Sequence, residues 1–156
     1  MISIRKAKLT KEDIESFVET YKSAYKGLEE YAYVKEKSIR YYFRWLFKRD
    51  SDGFFVAELN GKVVGFVACD SHWHNLFHEK MGEIHELVVR EEHKGKGIGK
   101  KLMEAAEQYL KSKGHNKIGL WVGENNTKAI KFYEALGYKK RDKSDLSNGD
   151  SFYACF

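Results

Sequence analysis

The sequence predicts a single α/β domain of the α+β type, in which helices pack on a mixed, mostly antiparallel sheet. Three observations carry this expectation. Apolar periodicity gives the element order β-α-α-β-β-β-α-β-α-β-β, where strands outnumber helices and do not alternate strictly with them. Asn60-Gly61 separates two apolar, β-rich runs and supplies the positive φ angles of a tight hairpin turn. No repeat, low-complexity run or proline interrupts the 156 residues, a length that fits one domain spanning 1–156.

Each element has its own signal. ISIRKA alternates as a first strand. Thr10, with Glu12 and Asp13 in the following turn, caps a helix whose apolar positions Ile14, Phe17, Val18 and Tyr21 recur at three and four. A second helix runs from about Glu36 to Lys48 with Ile39, Tyr42, Phe43 and Leu46 as its stripe. Phe54–Leu59 and Lys62–Cys69 are the hairpin strands. SHWHNLFHEKMG reads as a polar, histidine-rich loop before the strand EIHELVV. Ile98–Leu110 is an amphipathic helix with Gly114 beyond its end, Lys117–Val122 a strand, and Thr127–Leu136 a helix stopped at Gly137. Tyr138–Arg141 begins a further strand, DKSDLSNGD is a loop, and SFYACF is the last strand.

Composition narrows the function classes. With 42% hydrophobic and 33% charged residues the chain is globular. Two cysteines without CxxC or Cys/His metal spacing exclude a disulfide framework and a zinc ribbon, and both are expected in the core. No apolar run approaches the ~20 residues of a membrane span, and MISIRKAKLTKED lacks a signal-peptide core, so a cytoplasmic location and no membrane partner are expected. The net charge of +5 is unevenly spread, because residues 94–143 carry thirteen Lys/Arg against five Asp/Glu. That excess calls for an anionic partner. Its clustering, rather than spread along an aromatic-rich groove, argues against nucleic acid.

The excess centres on LVVREEHKGKGIGKKL, a strand leading through a charged turn into a helix. Glycines there let backbone N–H groups converge on an anion at a helix N-terminus, where the macrodipole also favours negative charge. Lys94, Lys96, Lys100 and Lys101 surround that point. Lys100 is followed by Lys101 rather than Ser or Thr, which excludes GxxxxGK[ST]. Glycines at 95, 97 and 99 exclude GxGxxG. The spacing fits [Q/R]xxGx[G/A], with Lys94 in the first position, then Gly97 and Gly99. By its chemistry this is a diphosphate site.

The stretch GEIHELVVREEHKGKGIGKKLMEAAEQYLKSKG, followed by IGLWVGENNTKAIKFYEALGYKK, resembles the acetyl-coenzyme A site of the GNAT superfamily of N-acetyltransferases. Two motifs in the family's order carry the likeness, with Lys94 where Arg or Gln is usual. The resemblance implies a central V-shaped splay in the sheet, flanked by about four helices. It implies cofactor contacts from the backbone of Leu87, Val88 and Val89 to pantetheine, and from the amides of Lys94, Gly95, Lys96, Gly97, Ile98, Gly99 and Lys100 to pyrophosphate. The NNTKAIKFYEALGY motif adds Asn126, Ala129 and Tyr133, with the Tyr133 phenol beside the thioester sulfur. The implied co-substrate is acetyl-CoA, with no metal, and the implied partner is a primary amine of a small molecule or protein. A homodimer is compatible with the family.

The acceptor ammonium must lose a proton before it attacks the thioester. On the strand before the glycine loop, Glu83 is the first candidate base and His85 the second, with Glu86 a distant third. Regular alternation puts Glu83, His85 and Leu87 on one face and Glu86 on the other. His72, Trp73, His74 and His78 form a cluster without a fourth metal ligand. Tyr25, Tyr31, Tyr33, Tyr41 and Tyr42 fall where the family lines its acceptor site. A CoA-binding sensor that transfers nothing is the alternative to an enzyme.

Overall fold

The computed structural model describes residues 1–74, 80–141 and 149–155. Among these described residues seven strands form one sheet in the order β1-β2-β3-β4-β5-β7-β6, with four α-helices. β1 (Ile2–Lys6) pairs antiparallel with β2 (Phe54–Leu59), and β2 with β3 (Lys62–His74) across a turn in which Asn60 and Gly61 have φ of 53° and 80°. Both values lie in the left-handed region that a two-residue hairpin needs. β3 pairs antiparallel with β4 (Lys80–Val89), whereas β4 and β5 (Lys117–Gly123) are parallel. β7 (Gly149–Cys155) inserts antiparallel between β5 and the short β6 (Lys139–Lys140).

Helices cover both faces. Helix α1 (Lys11–Ala24) starts at Thr10, whose Oγ1 accepts the Asp13 amide at 3.2 Å. Arg5 grips the same Asp13 with two hydrogen bonds of 2.8 and 2.9 Å, fastening helix to strand. α2 (Glu36–Arg49) lies beside α1, and their apolar stripes bury Phe17 and Phe43 against Phe54 of β2 and Phe66 of β3. Phe17 sits at the centre of this group, 5.3 to 6.1 Å from the other three rings in edge-on contacts. On the opposite face α3 (Ile98–Ser112) buries Ile98, Leu102, Met103, Ala106 and Leu110, while α4 (Thr127–Ala135) adds Tyr133.

Several expectations change. The histidine-rich stretch is not all loop, because β3 continues to His74 through the pairs Trp73–Met81 and His74–Lys80. Its polarity misled the reading: Asp70 and Ser71 are buried strand residues whose polar atoms find partners. His72 and His74 are exposed on that strand, and His78 lies outside the described residues. The DKSDLSNGD segment ends in strand at Gly149 and Asp150, and its residues 142–148 lie outside the described ones. Cys69 is core as expected, but Cys155 is exposed at the end of β7. Among the described residues no helix is long and apolar enough to cross a membrane.

Two irregularities open the sheet. Opposite the step from Ala68 to Cys69, β4 carries an extra residue: Ala68 pairs with Glu86 and Cys69 with Ile84, leaving His85 as a β-bulge. β4 and β5 pair only at Gly82–Ile118, Glu83–Gly119 and Ile84–Leu120. Beyond these pairs the strands part, and a V-shaped gap opens in the middle of the sheet.

Candidate active site

The site is a cavity of about 880 Å³ that fills this gap. It runs from the glycine loop, between β4 and β5, to the segment joining α1 and α2.

The glycine loop forms one end. Gly95 and Gly97 have φ of 82° and 80°, and a Cβ on either would meet nothing within 4 Å. Backbone conformation, not space, therefore requires glycine here. Gly97 is the N-cap of α3, and the first intrahelical bond is from Lys101 N to Gly97 O at 3.2 Å. The N–H groups of Ile98, Gly99 and Lys100 precede it and have no acceptor within the helix. Gly99 packs tightly on α4, where an added Cβ would lie 3.2 Å from the Phe132 ring. Lys94 lines the cavity, yet its ammonium binds the Ala24 carbonyl at 3.3 Å and pairs with Glu91. Lys94 thus ties the loop to α1, which leaves the α3 N-terminal amides as donors at this end. Lys100 and Lys128 add charge to the lining, whereas Lys96 lies outside it, with its Nζ 3.3 Å from His93.

Leu87, Val88 and Val89, in the part of β4 that pairs with β3 but not with β5, form one wall. Across the gap Asn126 caps α4, accepting the Ala129 amide on Oδ1 at 3.3 Å, and Asn126, Ala129, Phe132 and Tyr133 line the cavity. Tyr133 is buried. Burial, reinforced by the charge of Glu86, holds its phenol well above the usual range, so the hydroxyl keeps its proton.

The bulge changes the roles on β4. Gly82 and Ile84 face α3, while His85 and Glu86 both turn to the α1–α2 side; Leu87 then returns to the α3 and α4 side. Regular alternation predicts His85 and Leu87 together and Glu86 opposite, and the extra residue reverses that. His85 and Glu86 both line the cavity. Glu83 does not. It sits in register with Gly119, and burial pushes its carboxyl up to about 8, opposed by the charge of Arg141 and helped by Asp70.

Glu86 accepts hydrogen bonds from Tyr25 at 2.6 Å and Tyr42 at 2.9 Å. Burial outweighs these and raises its carboxyl to about 7. His85 Nε2 lies 2.9 Å from Oδ2 of Asp70, a residue with no exposure at all. Burial pushes the Asp70 carboxyl up, but hydrogen bonds from His85, Arg49 (2.7 Å) and the His72 amide prevail and hold it at about 2. A carboxylate can only accept, so Nε2 carries the hydrogen and Nδ1 is the basic nitrogen of the ring. Trp73, edge-on at 4.6 Å, and Trp45 at 5.1 Å fix the ring plane.

The segment after α1 bridges the gap. Tyr31 accepts the Asn125 amide at 3.0 Å and meets Trp121 edge-on. Gly123 permits this approach, since a Cβ there would fall 2.7 Å from the Tyr31 ring. Tyr25, Tyr31, Tyr33 and Tyr42 all line the cavity, whereas Tyr41 is 72% exposed and outside it.

Comparison with known proteins agrees with this geometry. The profile of the Acetyltransferase (GNAT) family matches residues 14–138. A protein of Archaeoglobus fulgidus named uncharacterized N-acetyltransferase is 47% identical over 140 residues, which cover 89% of this chain and 94% of that one. An uncharacterized N-acetyltransferase of Methanocaldococcus jannaschii is 47% identical over 135 residues, covering 86% of this chain; the chain spans only 60% of that relative. Among solved structures, PH1933 from Pyrococcus horikoshii OT3 superposes with a TM-score of 0.89 at 39% identity, covering 100% of this chain and 99% of that one. PaiA N-acetyltransferase from Thermoplasma acidophilum in complex with coenzyme A shares the fold, with a TM-score of 0.77 at 24% identity, over 100% and 99% of the two chains. The chain belongs to the GNAT family of acetyltransferases.

Proposed function

We propose that the protein transfers the acetyl group of acetyl-CoA directly to a primary amine held in the same cavity. One observation carries this reading: the cavity joins the open amides of the α3 N-terminus, through the gap between β4 and β5, to the His85 imidazole and the buried Tyr133 phenol. Amides of Lys94 to Lys100 bind the diphosphate. The free edge of β4 at Leu87, Val88 and Val89 pairs with the pantetheine arm as an added strand would. Asn126 and Ala129 flank that arm.

In this reading His85, oriented by Asp70, takes a proton from the acceptor ammonium at Nδ1, directly or through water. The freed nitrogen attacks the thioester carbonyl while the amide of Val88 or Val89 stabilises the developing oxyanion. As the C–N bond forms and the C–S bond breaks, Tyr133 hydrogen-bonds the departing sulfur, which takes up the second proton lost by the nitrogen, so that the amide and the CoA thiol leave and His85 returns its proton to solvent. Glu83 sits behind this path, outside the cavity lining, and Glu86 takes its place as the carboxylate facing the acceptor.

The test is an initial-velocity matrix of acetyl-CoA against amine. Direct transfer gives intersecting double-reciprocal lines. Parallel lines would indicate an acetyl-enzyme and overturn the direct step.

A further inference from the structure

The two ends of the cavity carry opposite charge. The lysines in its lining, Lys94, Lys100 and Lys128, all belong to the glycine loop, α3 and the start of α4, with His93 beside them. At the other end the one basic side chain of the lining, among the described residues, is His85, paired with Asp70. Toward the α1–α2 segment the lining is instead tyrosine rings with two carboxylates, Glu86 and Glu30. Glu86 lies deep, and after hydrogen bonds from two phenols and the Leu87 amide its carboxylate still has a lone pair for a further donor. Glu30 is exposed on the turn Glu29–Tyr31 that bridges the gap. Its neighbour Glu29 is spent on the Gly27 amide, which it accepts at 3.0 and 3.1 Å. Tyr31 pins this turn to β5 and the start of α4, so Glu30 stands at the mouth.

We propose that the acceptor is an aliphatic diamine or polyamine without an acid group. This rests on the acetyltransferase reading above and names its substrate class. The reacting ammonium meets Glu86 beside His85, the methylene chain lies between Tyr25, Tyr33 and Tyr42, and the distal ammonium meets Glu30. Aromatic faces suit both parts, since they bury methylenes and attract cations. An acceptor carrying a carboxylate would meet two like charges at this end.

The test compares kcat/KM for an α,ω-diaminoalkane, the n-alkylamine of equal length, the ω-amino acid of equal length and a short neutral peptide, with products confirmed by mass spectrometry. The diamine is expected to exceed the monoamine at least about tenfold and the amino acid by more. Glu30→Gln should shrink the diamine-to-monoamine ratio below about threefold, with a melting temperature like the wild type showing that the fold is kept. A monoamine equal to the diamine, a faster amino acid or peptide, or a ratio that survives Glu30→Gln overturns the proposal and leaves the acetyltransferase reading standing. No acetylated product from any amine overturns both.

Discussion

His85 Nε2 lies 2.9 Å from Asp70 Oδ2, at the point where β4 carries an extra residue opposite β3. The bulge turns His85 into the cavity, and Asp70, itself held by Arg49, selects the tautomer that leaves Nδ1 basic. In the proposed mechanism Asp70 is thus a positioning residue. Asp70→Asn should lower kcat about tenfold and His85→Ala about a hundredfold, with little change in the KM for acetyl-CoA. The double variant should be no slower than His85→Ala, because the two act as one unit. Additive losses would show that Asp70 serves the fold instead.

The buried Glu86 carboxyl makes a stability prediction with a definite sign. Its folded-state value is raised from 4.5 to about 7, so the folded chain keeps a proton that the unfolded chain releases. Stability therefore falls as pH rises from about 4.5 to about 7, and the full penalty, at most about 3 kcal/mol, is present above that window. Glu86→Gln escapes it. Thermal melts should show the variant gaining on the wild type between pH 4.5 and 7, with a constant difference above; a difference flat across pH would contradict the assignment.

Gly97→Ala probes the anion end separately. A side chain at φ 80° is strained and destabilises by about 1 kcal/mol, and the shifted amides no longer converge. The KM for acetyl-CoA should rise about tenfold or more while the acceptor KM holds. Titration with CoA alone reads the same loss.

Phe17 tests the packing that supports the α1–α2 side of the cavity. It has no exposure and touches three other buried rings, so Phe17→Ala should cost roughly 3–5 kcal/mol in denaturant unfolding. A loss below about 1 kcal/mol would mean that α1 and α2 repack around the cavity.

What the sequence revealed and what it hid divide along physical lines. The glycine loop, the Asn60-Gly61 turn, the Thr10 cap and the Asn126 cap are local chemistry within a few residues, and each is found where its spacing indicates. The α1–α2 face of the site is assembled from distant residues: Tyr25 and Tyr42 reach Glu86 from 61 and 44 positions away, and Asp70 reaches His85 across the ladder. No periodicity encodes such pairs. Alternation also fails at an extra residue, which is why Glu86 reads from the sequence as facing away. Polar residues at the end of β3 read as loop because Asp70 and Ser71 are buried with partners that only the fold supplies.

The central claim is chemical transfer at this cavity, and turnover by Tyr133→Phe tests it most directly. The phenol has no exposed role to lose, and Phe keeps its packing against Phe132 and Tyr138. With acetyl-CoA and a diamine, the wild type should release one thiol for each N-acetylated product, and the variant should bind CoA equally well while kcat drops about a hundredfold. Tight CoA binding with no acetylated product in either protein would contradict the account and mark the chain as a CoA-binding sensor.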